Sequence, residues 1–160
     1  PDRSDMDYIN LQTRSAPPLR VDGLPLIKPP YGQIVALDLN EGEILWDAVH
    51  GETPDYIRNH PALAGIDIAR TGQAGRVGLL ATKTMVIAGD GGSYTNADGE
   101  QEALLRAYDK LTGEQLGSLP MPAQQTGSPM TYAINGVQYL AVSISGGDVA
   151  GRLRVYSYEP

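Results

Sequence analysis

The sequence predicts an all-β chain of repeated antiparallel units, part of a β-propeller, and three observations point there. A spaced pattern occurs twice: Ala36, Asp38, Gly42 and Trp46, then Ala107, Asp109, Gly113 and Gly117, at intervals of two, four and four. A third, partial copy closes the chain, where Arg154-Val155-Tyr156 echoes Arg106-Ala107-Tyr108. The 19 glycines and 12 prolines among 160 residues suit a turn-rich β-protein better than a helical one. Repeats at this scale mark architectures assembled from similar units.

Each copy reads as two strands and a tight turn. Ile34 to Leu39 carry the period-two alternation of a strand, Asn40-Glu41-Gly42 supply turn chemistry, and Glu43 to Val49 return with Trp46 as an apolar anchor. Lys110-Leu111-Thr112-Gly113 play the turn's part in the second copy. Asp38 and Asp109 stand where a strand enters its turn, where a carboxylate accepts turn amides, so they read as structural residues. Trp46 reads as a packing residue.

Along the chain, residues 1–32 form an extended irregular segment, because prolines at 17, 18, 25, 29 and 30 block helix and central strand. Residues 33–49 make the first hairpin, the end of one blade. Residues 50–76 form an insertion loop without alternation, holding His50, His60 and a short helix at Thr53–Arg58 with Thr53 as cap and Pro54 in the first turn. Residues 77–119 make a complete blade from Val77–Ala81, Thr84–Ala88, Leu104–Asp109 and Glu114–Leu119, with a long Gly89–Gln101 loop inside it. Residues 127–158 give three more strands, Ser128–Ile134, Val137–Ile144 and Arg152–Tyr158, the first pair joined at Asn135-Gly136.

Two, four and three strands make one complete four-stranded blade flanked by incomplete ones, the unit of radial repetition. A blade buries both faces, so this set leaves apolar faces open, and the chain reads as part of a longer protein or one that pairs with itself. A small barrel or sandwich of the same nine strands is the alternative. It gives the repeats no reason to share residues.

Composition excludes several functions. No apolar run is long enough to span a bilayer as a helix. The absence of cysteine rules out a disulfide framework and a thiolate metal site. A net charge of −7 argues against nucleic acid as a partner. Pro1-Asp2-Arg3-Ser4-Asp5 carries no signal peptide and reads as mid-protein sequence.

The strings LPLIKPPYGQIVALDLNEGEILW (24–46), ATKTMVIAGDGG (81–92), LLRAYDKLTGE (104–114) and TGSPMTYAINGVQYLAVSISGG (126–147) resemble the carboxy-terminal part of the pyrroloquinoline quinone (PQQ)-dependent dehydrogenases, the quinoprotein glucose dehydrogenase type in particular. The Ala36–Trp46 pattern resembles that family's tryptophan docking motif, and Gly117 departs from it. The resemblance implies an eight-bladed propeller holding PQQ near its axis beside a calcium ion. It implies oxidation of a sugar or alcohol, with a hydride passing to the quinone and a quinone or cytochrome receiving the electrons. It also implies a periplasmic protein, membrane-associated through an amino-terminal region absent from this sequence, with the remaining blades or a second copy as partner.

The family's catalytic and calcium-binding residues match no position here. The nearest family site is the loop Gly75, Arg76, Val77 and Gly78, which the resemblance sets against the cofactor; Arg76 is suited to a quinone carboxylate. Ser145-Gly146-Gly147 resembles a segment rimming the active-site mouth. Elsewhere the residues offer bland readings: Asp90, Asp98 and Glu100 are solvated loop charges without an EF-hand run, Asp90-Gly91-Gly92-Ser93 is a hairpin connection without P-loop spacing, and the histidines are loop residues. On its own, the chain is expected to be catalytically silent. The competing reading is a non-enzymatic propeller serving as a protein-interaction scaffold.

Overall fold

The computed structural model describes residues 19–158, and the first 18 residues of the expected irregular segment lie outside them. Within residues 19–32, β1 (Arg20–Val21) and β2 (Leu24–Pro25) pair around Asp22-Gly23, both at positive φ. This is more order than the prolines predict. Pro25 is tolerated because the ladder is two residues long and has open edges.

The first sheet is β3 (Gln33–Asp38) paired with β4 (Glu43–Val49). Asp38 Oδ1 accepts the Asn40 and Glu41 amides at 2.8 and 3.3 Å, while Gly42, at φ +74°, donates to the Asp38 carbonyl at 2.8 Å. Asp109 repeats this with Leu111 and Thr112 at 2.8 and 2.9 Å, and Gly113 stands at φ +74°. Both aspartates are the turn residues that their spacing predicts.

The second sheet contains β5 (Leu80–Ala81), β6 (Met85–Gly89), β7 (Tyr94–Thr95), β8 (Gln101–Asp109) and β9 (Gln115–Met121). Its order is β5-β6-β8-β9, with β7 pairing the far end of β8 through Tyr94 and Glu102. Two differences from the sequence reading have local causes. The strand expected from Val77 begins only at Leu80, because the Gly78 carbonyl is taken by the Gln125 side chain at 2.8 Å. The long Gly89–Gln101 connection contains β7, tied down where Asp55 accepts the Thr95 amide and hydroxyl at 3.0 and 2.6 Å. The third sheet is β10 (Met130–Ile134), β11 (Val137–Gly146) and β12 (Val149–Tyr158), with Asn135 and Gly136 turning at φ 52° and 83°.

Among the described residues, helix is limited to α1 (Asp55–Arg58) and a 3₁₀ turn over Pro61–Leu63. Thr53 does not cap α1, correcting the sequence reading. Pro54 holds the cap position with no side-chain bond, and the Thr53 hydroxyl oxygen accepts the Thr71 amide at 3.0 Å.

Side-chain alternation assigns the faces. Val86, Ala88 and Tyr108 pack against Ile34 and Trp46 of the first sheet; Ile87, Ala103 and Leu105 pack against Val142 and Ile144 of the third. The central strands β6 and β8 of the second sheet are therefore buried on both sides. That is why β6 reads as an unbroken apolar run rather than an alternating one. Each fully buried large apolar side chain contributes about 1.5–3 kcal/mol. The two outer faces stay open: Val35, Leu37, Ile44 and Leu45 are exposed on the first sheet, and Met130, Ile134, Leu153 and Val155 on the third.

The repeat residues join the sheets. Trp46 Nε1 donates to the Lys110 carbonyl at 3.0 Å, and its ring lies so close over Gly113 that a Cβ there would stand 2.5 Å from Cε3. Tyr156, the repeat counterpart of Tyr108, reaches from the third sheet to donate to the Pro120 carbonyl at 3.0 Å.

Candidate functional site

The chain crosses itself tightly where the insertion returns to the second sheet. Tyr31 donates its amide to the Thr71 carbonyl at 2.7 Å, and Gln73 donates to the His50 carbonyl at 3.0 Å. Gly72, at φ +70°, fits against Gly32 and His50 so closely that a Cβ would stand 2.4 Å from the Gly32 carbonyl oxygen. Beyond this crossing, loop 73–79 meets the loop after β6 at two glycines. A Cβ on Gly75 would lie 2.5 Å from Gly91 Cα, and one on Gly91 would lie 2.6 Å from Gly75 Cα. Only bare backbone permits that approach.

A cleft of about 350 Å³ opens there, lined by Gly32, Ile34, His50, Gln73, Gly75, Val77 and Gly91 among others. It lies at the low end of the roughly 300–1,000 Å³ range of small-molecule sites. Its wall includes β3, whose far edge has no strand partner among the described residues. Of the loop singled out by the sequence, Gly75 and Val77 line the cleft. Arg76 is exposed and outside its lining, while Gly78 sits beneath, against Ser128 and bonded to Gln125. Gln73, which opens this loop but is not among the site residues read from the sequence, carries a buried Oε1 with no hydrogen-bond partner among the described residues. Ser145-Gly146-Gly147 stands elsewhere: Gly146 and Gly147 line a separate hollow of about 250 Å³ with Gln124 and Asp148.

Behind the cleft lies a polar core. His50 is buried; its Nε2 donates to the Gly89 carbonyl at 3.1 Å, which leaves Nδ1 to accept from the Tyr108 hydroxyl at 2.9 Å. Burial lowers the His50 pKa and pushes the Tyr108 hydroxyl up to about 12. The imidazole is thus neutral and structural. His60 caps the 3₁₀ turn through Nδ1 and faces the Asp22 carbonyl through Nε2 at 2.7 Å.

Asp90 corrects the sequence reading most sharply. It is fully buried, not a solvated loop charge, and its carboxylate takes Arg106 Nε at 2.7 Å and the Leu104 amide at 3.1 Å. Arg106 Nη2 also reaches Glu52 at 2.9 Å. Burial opposes the guanidinium's charge, and the hydrogen bonds and charges of Asp90, then Glu52, more than offset it, so its pKa is raised. This pair fixes the start of the loop that carries Gly91. No pattern in the sequence marks it, since Arg106 lies 16 residues from Asp90 and 54 from Glu52. Asp98 and Glu100 are the exposed loop residues expected, their amides held by Asn96 Oδ1 at 3.0 and 2.9 Å.

Among known families, the beta-propeller domain of glucose/ethanol/alcohol dehydrogenases that use PQQ matches residues 3–140. The chain belongs to this PQQ-dependent dehydrogenase family. The chain is 32% identical over 126 residues to the quinoprotein glucose dehydrogenase of Escherichia coli, covering 78% of this chain and 14% of that protein. It is 28% identical over 124 residues to quinoprotein glucose dehydrogenase A of Acinetobacter calcoaceticus, again 78% and 14%. It is 31% identical over 125 residues to the glycerol dehydrogenase large subunit of Gluconobacter thailandicus, 78% and 16%. The chain spans about a seventh of the length of the first two relatives. The cleft suits one side of a flat, hydrogen-bonding quinone: two bare glycines make a planar wall, Val77 an apolar flank, and Gln73 supplies an unpartnered amide oxygen. Among the described residues no group of three or more His, Cys, Asp or Glu is placed to hold a metal ion.

Proposed function

We propose that this chain is part of a PQQ-dependent dehydrogenase that oxidises a sugar or other alcohol, and that by itself it turns over no substrate. The observation that carries this reading is family membership along residues 3–140, with relatives that are glucose and glycerol dehydrogenases. When bound, PQQ supplies a two-electron acceptor for the hydrogen on the alcohol carbon. The contribution of this chain is positional. Gly75 and Gly91 keep the wall flat, Val77 excludes water from one flank, and the Gln73 amide oxygen stands ready to accept a hydrogen bond. Arg76, exposed on the same loop, supplies positive charge for a carboxylate at the rim.

Calcium and the base that takes the alcohol proton belong, on this reading, to parts of the parent protein outside this sequence. So does the rest of an eight-bladed ring, whose neighbouring blades cover the open faces of the first and third sheets. A periplasmic setting, with a quinone or cytochrome as electron acceptor, follows from the same reading.

The test is an apo preparation of the parent protein assayed with a redox dye and either glucose or glycerol. Activity is expected only when PQQ and calcium are both added, and none from the 160-residue chain. In the parent, Gly75→Val, whose side chain would collide with Gly91, should raise the PQQ concentration needed for half-activation. Turnover without PQQ rejects the proposal, and a parent that neither turns over substrate nor binds PQQ by absorbance titration rejects it in favour of a scaffold.

A further inference from the structure

The joint between the second and third sheets repeats the joint between the first and second, with one side chain missing. Ala36 pairs with Trp46, and Ala107 pairs with Gly117; in both ladders a register shift follows immediately. Gly117 therefore stands in Trp46's place. Its surroundings correspond as well. Tyr108 pairs with Val86 in the second sheet as Tyr156 pairs with Leu140 in the third, which matches Val86 to Leu140 and Ala88 to Val142. In the first joint, the indole lies among Ile34, Val86, Ala88 and Tyr108. Leu105, Leu140, Val142 and Tyr156 hold those places in the second.

Among the described residues, a Cβ built on Gly117 meets no atom within 4 Å, and the residue is not among the positive-φ glycines, so its backbone accepts a side chain. The space is a groove of about 380 Å³ between Leu105, Ala107, Leu116, Leu119 and Leu140. It adjoins a second stretch of about 330 Å³ that shares Met85, Ile87, Leu119 and Leu140 and reaches Thr131, Gln138 and Tyr156. Both walls belong to this chain, continuous with the apolar interface between its own sheets. The far end of the second stretch is polar, lined by Thr131 and by the exposed Gln138, which spends its amide nitrogen on Thr131 at 3.0 Å and keeps its amide oxygen as an acceptor.

We propose that this groove binds a planar aromatic molecule of indole size carrying one N–H donor, seated where the first joint places the ring of Trp46. Two apolar walls and one polar end, at the position the repeat gives to an indole, favour a flat heteroaromatic over an aliphatic chain. The site does not involve the residues assigned to PQQ.

Indole itself is the probe. Titrated into the chain at millimolar concentration, it should shift the methyl resonances of Leu119 and Leu140 saturably and raise the melting midpoint. Gly117→Trp fills the space covalently and should abolish the saturable shift while raising the midpoint without ligand. Leu119→Glu, at a half-exposed position, sets a charge on one wall and should weaken indole by about tenfold or more. No saturable shift in the wild-type chain overturns the proposal. So does an undiminished shift in both variants, which would assign the indole to another surface.

Discussion

Tyr108 donates its hydroxyl proton to Nδ1 of His50 at 2.9 Å, tying β8 of one sheet to the end of the preceding one. One repeat later, Tyr156 makes the same backward reach to Pro120, where a backbone carbonyl replaces the imidazole. The tyrosine of the Arg-x-Tyr echo is thus an inter-sheet latch.

Replacing Tyr108 with Phe should destabilise the chain by about 1–3 kcal/mol, because His50 Nδ1 stays buried without its donor. Urea unfolding should show a lower midpoint at unchanged slope. Tyr156→Phe should cost less, since Tyr156 is only partly buried and its partner is a carbonyl at the edge of the apolar interface.

His50 sets a pH dependence with a definite sign. Burial depresses its folded-state pKa below 6.5, so the unfolded chain binds the extra proton more readily. The contribution of neutral His50 is whole above about pH 6.5 and declines as pH falls below that value, until the lowered folded-state pKa is passed. Midpoints measured between pH 8 and pH 5 should fall over this window, and His50→Gln should flatten that slope.

Trp46 and Gly113 form one lock. Trp46→Ala should cost about 3–5 kcal/mol. Gly113→Ala should cost roughly 1–2 kcal/mol for the left-handed backbone and about 1–3 more for displacing the ring, with Trp46 fluorescence shifting to the red as the indole leaves its seat. An unshifted spectrum in Gly113→Ala would contradict the contact geometry.

The Arg106–Asp90 pair should behave as a unit. Arg106→Met leaves a buried carboxylate unpaired and should cost about 3–5 kcal/mol. Adding Asp90→Asn to Arg106→Met should cost clearly less than the sum of the single changes, a coupling that a double-mutant cycle in urea measures directly.

The sequence by itself determined what is local. Period-two alternation, the Asp-x-x-x-Gly turns and Asn135-Gly136 marked out hairpins, and the spaced repeat predicted that Trp46 packs. Even there, local signals erred where another part of the chain claimed a backbone or side-chain group. Gln125 took the carbonyl of Gly78, and Thr71 took the hydroxyl of Thr53. The polar core and the cleft were decided only by tertiary structure. His50 and Tyr108 lie 58 residues apart, and Trp46 and Lys110 lie 64 apart, so their contacts depend on how sheets stack and not on any run of residues. Asp90 reads as a loop charge until β8 brings Arg106 over it, and nothing local shows that Gly75 and Gly91 touch until two loops press together. Periodicity says which face of a strand a side chain occupies; only the packing of one sheet on the next says what that face meets.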